Sequence, residues 1–207
     1  MAISRLKKGA RRAKMAAFTL IEMIIAITVF TIFIGFAISA YLAFHRADQD
    51  ALVVRALLME EQGIMDKLSS AVKENRIAYS AYKDSVSGEN IETANLYLLS
   101  ADKKNIFVYS WDSDAQMVQL QAFDSTSGAP LDGYADPIQL NSENAKVSYL
   151  EFKIFPSVDP YADENKQVDN VQFQPVISID MTMEMPGRVQ EKVSVSLHTA
   201  ATSRYYK

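Results

Sequence analysis

The sequence predicts an α+β protein in which one long N-terminal helix packs on an antiparallel β-sheet head. Three observations predict it. Met23–Phe44 is an apolar run of 22 positions without a charge, a three-four apolar spacing continues through residues 48–79, and after Asn90 the pattern changes to short β-rich runs that end in an alternating hairpin.

The N-terminal segment is basic and the run behind it is long. Residues 1–17 hold Arg5, Lys7, Lys8, Arg11, Arg12 and Lys14 with no acidic residue. At about 1.5 Å per residue the following run reaches roughly 33 Å, enough for a hydrocarbon core of about 30 Å. Lys and Arg are retained on the cytoplasmic side, so Met1 is expected inside and the chain after His45 outside. A cleaved secretory signal has a shorter apolar region and a small-residue cleavage site, and Ser39-Ala40-Tyr41 with Ala43 matches such a site poorly.

One carboxylate breaks the apolar pattern. In Ala17-Phe18-Thr19-Leu20-Ile21-Glu22 the acid lies just inside the span, where an ionised Glu costs about 2.5–3.5 kcal/mol on insertion scales. Such a residue is a functional-site candidate by default. A residue near the interface that snorkels to the headgroups is the plainer reading of Glu22.

The combination of basic leader, small residue, Phe-Thr-Leu-Ile-Glu and apolar helix, over residues 5–45, resembles the prepilin motif of type IV pilins and type II secretion pseudopilins. The resemblance implies that a prepilin peptidase cuts between Ala17 and Phe18 and methylates the new Phe18 amine. It departs at one point, since the family usually has Gly where this chain has Ala17. Loss of the six leader charges from 21 basic residues would leave 15 against 25 acidic ones, formally −10. Phe18 and Glu22 are four apart and share a helix face. The resemblance implies that Glu22 of an arriving subunit pairs with the Phe18 ammonium of one already in a filament, an ion pair that would fix axial register between helices otherwise free to slide.

The expected organisation is a basic prepilin leader at 1–17, a transmembrane and filament-core helix at 18–44, an amphipathic stalk helix at 45–84 and a β-rich head at 85–207. In the stalk, Val54, Leu57, Leu58, Ile64, Met65, Leu68 and Val72 form one apolar face, read as the seam under a sheet. No proline precedes Pro130, so the helix should run unbroken to Ala78, with Gly35 and Gly63 as its weak points. Related filament proteins can melt this helix between a Gly and a Pro; here Gly35 has no such partner.

Past the turn-rich Ser85–Asn90, the candidate strands are Leu96–Ser100, Asn105–Trp111, Met117–Phe123, Lys146–Phe155, Val171–Met185 and Arg188–Thr199. The last two form an antiparallel hairpin: Ile177, Ile179, Met181, Met183 and Met185 alternate with polar residues, Pro186-Gly187 supplies the turn, and Val189, Val193, Val195 and Leu197 return toward the core. Asp124–Asn144 reads as a long loop or an edge excursion, and Pro156–Asn170 as another loop.

Composition narrows the chemistry. The absence of cysteine rules out a disulfide or a thiolate site, including the disulfide-closed loop common in type IVa pilins. An acidic mature chain without a basic run disfavours nucleic acid as a partner. Asp159, Asp163, Glu164 and Asp169 invite a calcium reading but fit no EF-hand spacing, and no metal is assigned. His45 and His198 are expected to face solvent. With no phosphate-cradling loop, nucleophile elbow or zinc signature, no cofactor and no enzymatic activity are expected.

By length and general pattern the chain is similar to the larger minor pseudopilins of the J type, and nearly as much to a minor type IV pilin. The resemblance implies a subunit that helps start or cap a filament, with prepilin peptidase, other pilin or pseudopilin subunits, and an inner-membrane assembly platform with its cytoplasmic ATPase as partners. The alternative is a membrane-tethered extracytoplasmic binding module that never leaves the bilayer.

Overall fold

The computed structural model describes residues 19–82, 86–87, 90–162, 174–186 and 192–204. The chain divides into two compact units, Met1–Ala47 and Asp48–Lys207. One α-helix, α1, runs over Leu20–Glu74, 55 residues.

Within the first unit α1 is apolar all round. Its side chains from Leu20 to Phe44 are largely exposed, Phe36 by 74% and Phe44 by 76%. It is a helix long and apolar enough to cross a membrane. The hydroxyls inside the run turn inward: Thr28 Oγ1 donates to the Ile24 carbonyl at 2.8 Å, Thr31 Oγ1 to Ile27 at 2.8 Å and Ser39 Oγ to Gly35 at 2.9 Å. Each removes a polar group from the helix surface, which is what lipid demands.

In the second unit α1 buries one stripe, Leu57, Glu61, Ile64, Met65, Leu68, Ala71 and Val72. The helix ends four residues before the expected Ala78. Asn75 closes it, its main-chain N–H and its Nδ2 both donating to the Ala71 carbonyl at 3.1 and 2.8 Å. Arg76 and Ile77 then leave as strand β1 (Arg76–Ile77), paired with Leu99 and Leu98. Sheet hydrogen bonds thus outcompete helix propensity at the last turn.

Two antiparallel five-stranded sheets complete the unit. The first orders β1, β4 (Asn95–Leu99), β5 (Asn105–Asp112), β6 (Met117–Asp124) and β7 (Ile138–Gln139). The second orders β10 (Lys192–Thr202), β9 (Val176–Pro186), β8 (Lys146–Phe155), β3 (Asn90–Thr93) and β2 (Val86–Ser87). The six runs read from the sequence as strands correspond to β4, β5, β6, β8, β9 and β10 over the described residues. The short strands β1, β2, β3 and β7 carry too few residues to show a period, and β7 forms an edge of the first sheet inside the segment read as a long loop or an edge excursion.

The hairpin is present, but its turn is not at Pro186-Gly187. Pro186 still pairs with Lys192, so the connection is 187–191, which lies outside the described residues, as do Val189 and 171–173. Strand β8 contains a bulge at Ser148, where the register steps from Val147 opposite Met183 to Tyr149 opposite Thr182. The extra residue changes the phase of the alternation, so that Val147 before it and Leu150, Phe152 and Ile154 after it are all buried.

The core joins the α1 stripe to Phe152, Ile154, Ile177, Ile179, Met181 and Met183 of the second sheet and Leu96, Leu98 and Val118 of the first. Polar bonds tie the layers together. Trp111 Nε1 donates to the Val147 carbonyl at 3.0 Å, and buried Asn141 accepts from the Val118 amide at 2.8 Å while donating to the Ala145 carbonyl at 2.6 Å.

Gly63 is exposed on α1, and a Cβ there would meet nothing within 4 Å. Gly63→Ala should therefore raise the unfolding free energy by roughly 0.5–1 kcal/mol, seen as a higher denaturant midpoint at unchanged slope.

Candidate functional site

The local sequence Thr19-Leu20-Ile21-Glu22 folds as a capping box at the start of α1. The Glu22 amide donates to Thr19 Oγ1 at 3.3 Å, while Glu22 Oε2 accepts from the Thr19 amide at 2.9 Å and from the Thr19 hydroxyl at 3.0 Å. A Thr followed three residues later by Glu satisfies two orphan helix donors reciprocally. The carboxylate also sits in the first turn, where the helix dipole favours an anion. Glu22 is therefore a helix-capping residue within its own chain, a role the sequence reading did not weigh although the T-x-x-E pattern was visible in it.

Around this cap the surface is apolar. Leu20 is exposed by 81%, Ile21 by 63%, Met23 by 53% and Ile24 by 54%, so the first turn sets one anionic group among hydrocarbon. Ala17 and Phe18, the expected cleavage pair, lie outside the described residues. The remaining candidates from the sequence behave as surface groups. His45 stacks on Tyr41 with ring centroids 6.1 Å apart, and exposed His198 pairs through Nδ1 with Asp180 on the outer face of the second sheet. Asp159 Oδ1 accepts from the Tyr161 amide at 2.9 Å, closing a turn, while Asp163, Glu164 and Asp169 lie outside the described residues. Among the described residues no group of three His, Cys, Asp or Glu side chains could hold a metal ion.

A second carboxylate was missed. Glu61 is fully buried, 0% exposed, in the stripe that α1 presents to the sheets. Among the described residues no donor reaches either of its oxygens. Burial pushes its carboxyl up to about 7, with the main chain of Leu197 beside it pulling the other way. The signal for it was a gap: the apolar stripe read from the sequence steps from Leu57 and Leu58 to Ile64, skipping the position a helical turn requires, and Glu61 fills it.

Residues 12–38 match the family model described as the prokaryotic N-terminal methylation motif. The match covers the segment that contains the capping box and the apolar run as far as Ile38. Together with one long apolar N-terminal helix and antiparallel sheets, it supports a type IV pilin or pseudopilin, a prepilin peptidase substrate with an α+β, pilin-like layout and a single-pass membrane anchor. It points to a structural subunit rather than an enzyme. Comparison with curated proteins and with solved structures gives no match.

Two measurements follow from this geometry. Thr19→Val removes the capping hydroxyl and should destabilise the first turn by about 1 kcal/mol, read as faster amide exchange at residues 20–23 of the micelle-bound protein. For Glu61 the folded state holds its proton above the unfolded value, so its contribution to stability is full below about pH 4.5 and falls as pH rises through about 7. The slope between these limits is about 1.4 kcal/mol per pH unit, and denaturant unfolding over that range measures it.

Proposed function

We propose that this chain is a minor pseudopilin or pilin subunit that is cut by prepilin peptidase between Ala17 and Phe18, methylated at the Phe18 amine, and built into a filament of a type II secretion system or type IV pilus. The methylation-motif match over residues 12–38 carries this reading. Residues 1–17, with all six leader charges, end where the apolar helix begins, so one cut removes the basic block that would hold the N-terminus at the cytoplasmic face.

In this reading the exposed apolar surface of α1 exchanges lipid for the helices of neighbouring subunits, and Glu22 selects the register. Its Oε2 already faces the start of the helix through Thr19, the side on which a freed Phe18 ammonium would lie. Bringing that ammonium of a neighbour to Glu22 pairs two charges that are each costly alone in hydrocarbon. A cytoplasmic ATPase acting through an inner-membrane platform would supply the work of extraction, and the head would meet neighbouring subunits or cargo. A role in initiation or at the tip, as in J-type minor pseudopilins, is the finer form of the proposal and rests on chain length and the β-rich head.

Mass spectrometry of the mature N-terminus should find a methylated Phe18; an intact Met1 would leave only a tethered exterior domain. Glu22→Ala should insert into the membrane normally yet fall by about tenfold or more in sheared filament fractions, as expected for losing one partner of a buried pair. Wild-type recovery of that variant refutes the assembly role.

A further inference from the structure

The contacts between α1 and β10 define a seam with a fixed direction. At one end Arg204 donates its amide to the Lys73 carbonyl at 3.3 Å and Ser203 Oγ donates to the Asn75 carbonyl at 2.7 Å. At the other end Glu61 lies against the main chain at Leu197. Strand and helix therefore run side by side in the same sense, pinned by hydrogen bonds at Lys73–Asn75 and closed by a bare carboxyl at Glu61.

Among the described residues no charge faces that carboxyl from any element around it. On α1 the residues one turn away are Leu57, Leu58, Ile64 and Met65, and half-buried Glu60 turns to Ser142, which donates its hydroxyl to Glu60 Oε2 at 3.0 Å. The inward positions of β10 are Val193, Val195, Leu197 and Thr199, those of β9 are Ile177, Ile179, Met181 and Met183, and those of β8 are Val147, Leu150 and Phe152. The ionisable groups of these strands occupy the opposite, solvent-facing side, where Lys153 pairs with Glu151 at 3.1 Å, Lys192 with Glu184 at 3.0 Å and His198 with Asp180. Glu143, in the connection before β8, is exposed.

We propose that Glu61 is a proton-operated latch between α1 and β10: carrying its proton it stays in the seam, and on losing that proton to water it swings out and parts the Leu57–Met65 stretch of the helix from Val193–Thr199. An unpaired carboxylate in an apolar seam has no way to recover its lost hydration except by reaching water. Its 0% exposure means that the packing around it must open first. The hydrogen bonds at Lys73 and Asn75 hold the far end, so the opening is a local hinge and not unfolding. The device would couple the seam of the head to the acidity of its surroundings, and it stands independently of processing or filament assembly.

Hydrogen–deuterium exchange of the full-length protein in detergent micelles, corrected for the intrinsic pH dependence of amide exchange, tests the latch. Exchange at residues 57–65 and 193–199 should rise about tenfold per pH unit between about pH 4.5 and about pH 7, then level off, while 71–75 and 203–204 stay constant. Glu61→Gln should abolish the rise and Glu60→Gln should leave it intact. A rise that persists in Glu61→Gln, or that vanishes in Glu60→Gln, overturns the proposal. If Glu61→Gln does not fold, Glu61→Leu serves the same comparison. Infrared difference spectra of the wild type add a direct readout: the carbonyl stretch of a protonated acid should be present at about pH 6 and lost by about pH 8, and its absence at the lower pH refutes the latch.

Discussion

One helix has to satisfy two different apolar environments, and that constraint organises the molecule. Over Leu20–Phe44 the surface of α1 is hydrocarbon on every side, with its hydroxyls folded back onto carbonyls of the preceding turn. Over Leu57–Val72 the same helix narrows to a single buried stripe that two sheets cover. The first half is built for lipid or other helices and the second for a protein core.

Each half carries one carboxylate where hydrocarbon would be expected, and the two are handled in opposite ways. Glu22 is tied by Thr19 into a capping box, so its charge is compensated by donors that every helix start leaves unpaired. Glu61 meets no donor among the described residues and is held near neutrality by desolvation. The capped acid can keep its charge. The uncapped one can remain in place only by giving its charge up, which makes the seam around it sensitive to protons.

The head has a division of labour that follows from alternation. Strands β8, β9 and β10 turn aliphatic and Met side chains inward and a ladder of charges outward, with Lys153 between Glu151 and Glu92 and the Lys192–Glu184 pair toward the other end of β9. Such exposed pairs add little stability but keep the outer face of the sheet soluble. The inward face provides the platform on which α1 lies, and the bulge at Ser148 keeps β8 in step with it.

The membrane run, the long strands and the prepilin-type motif were legible in the sequence because each depends on local periodicity or on a contiguous set of residues: twenty-two uncharged positions, alternation through Ile177–Met185, and Phe18-Thr19-Leu20-Ile21-Glu22. Other features came only from the tertiary structure, because they depend on which surfaces meet. The helix stops at Glu74 because β4 offers Arg76 and Ile77 a pairing partner, β8 shifts phase because Val147 and Leu150 must both reach the core, and β1, β2, β3 and β7 exist only as partners of longer strands. Glu61 lies between the two cases. Its place in the apolar stripe could be counted off the sequence, but whether it met a cation, a hydroxyl or nothing was decided by the strand that packed against it, and desolvation acts only once that packing has excluded water.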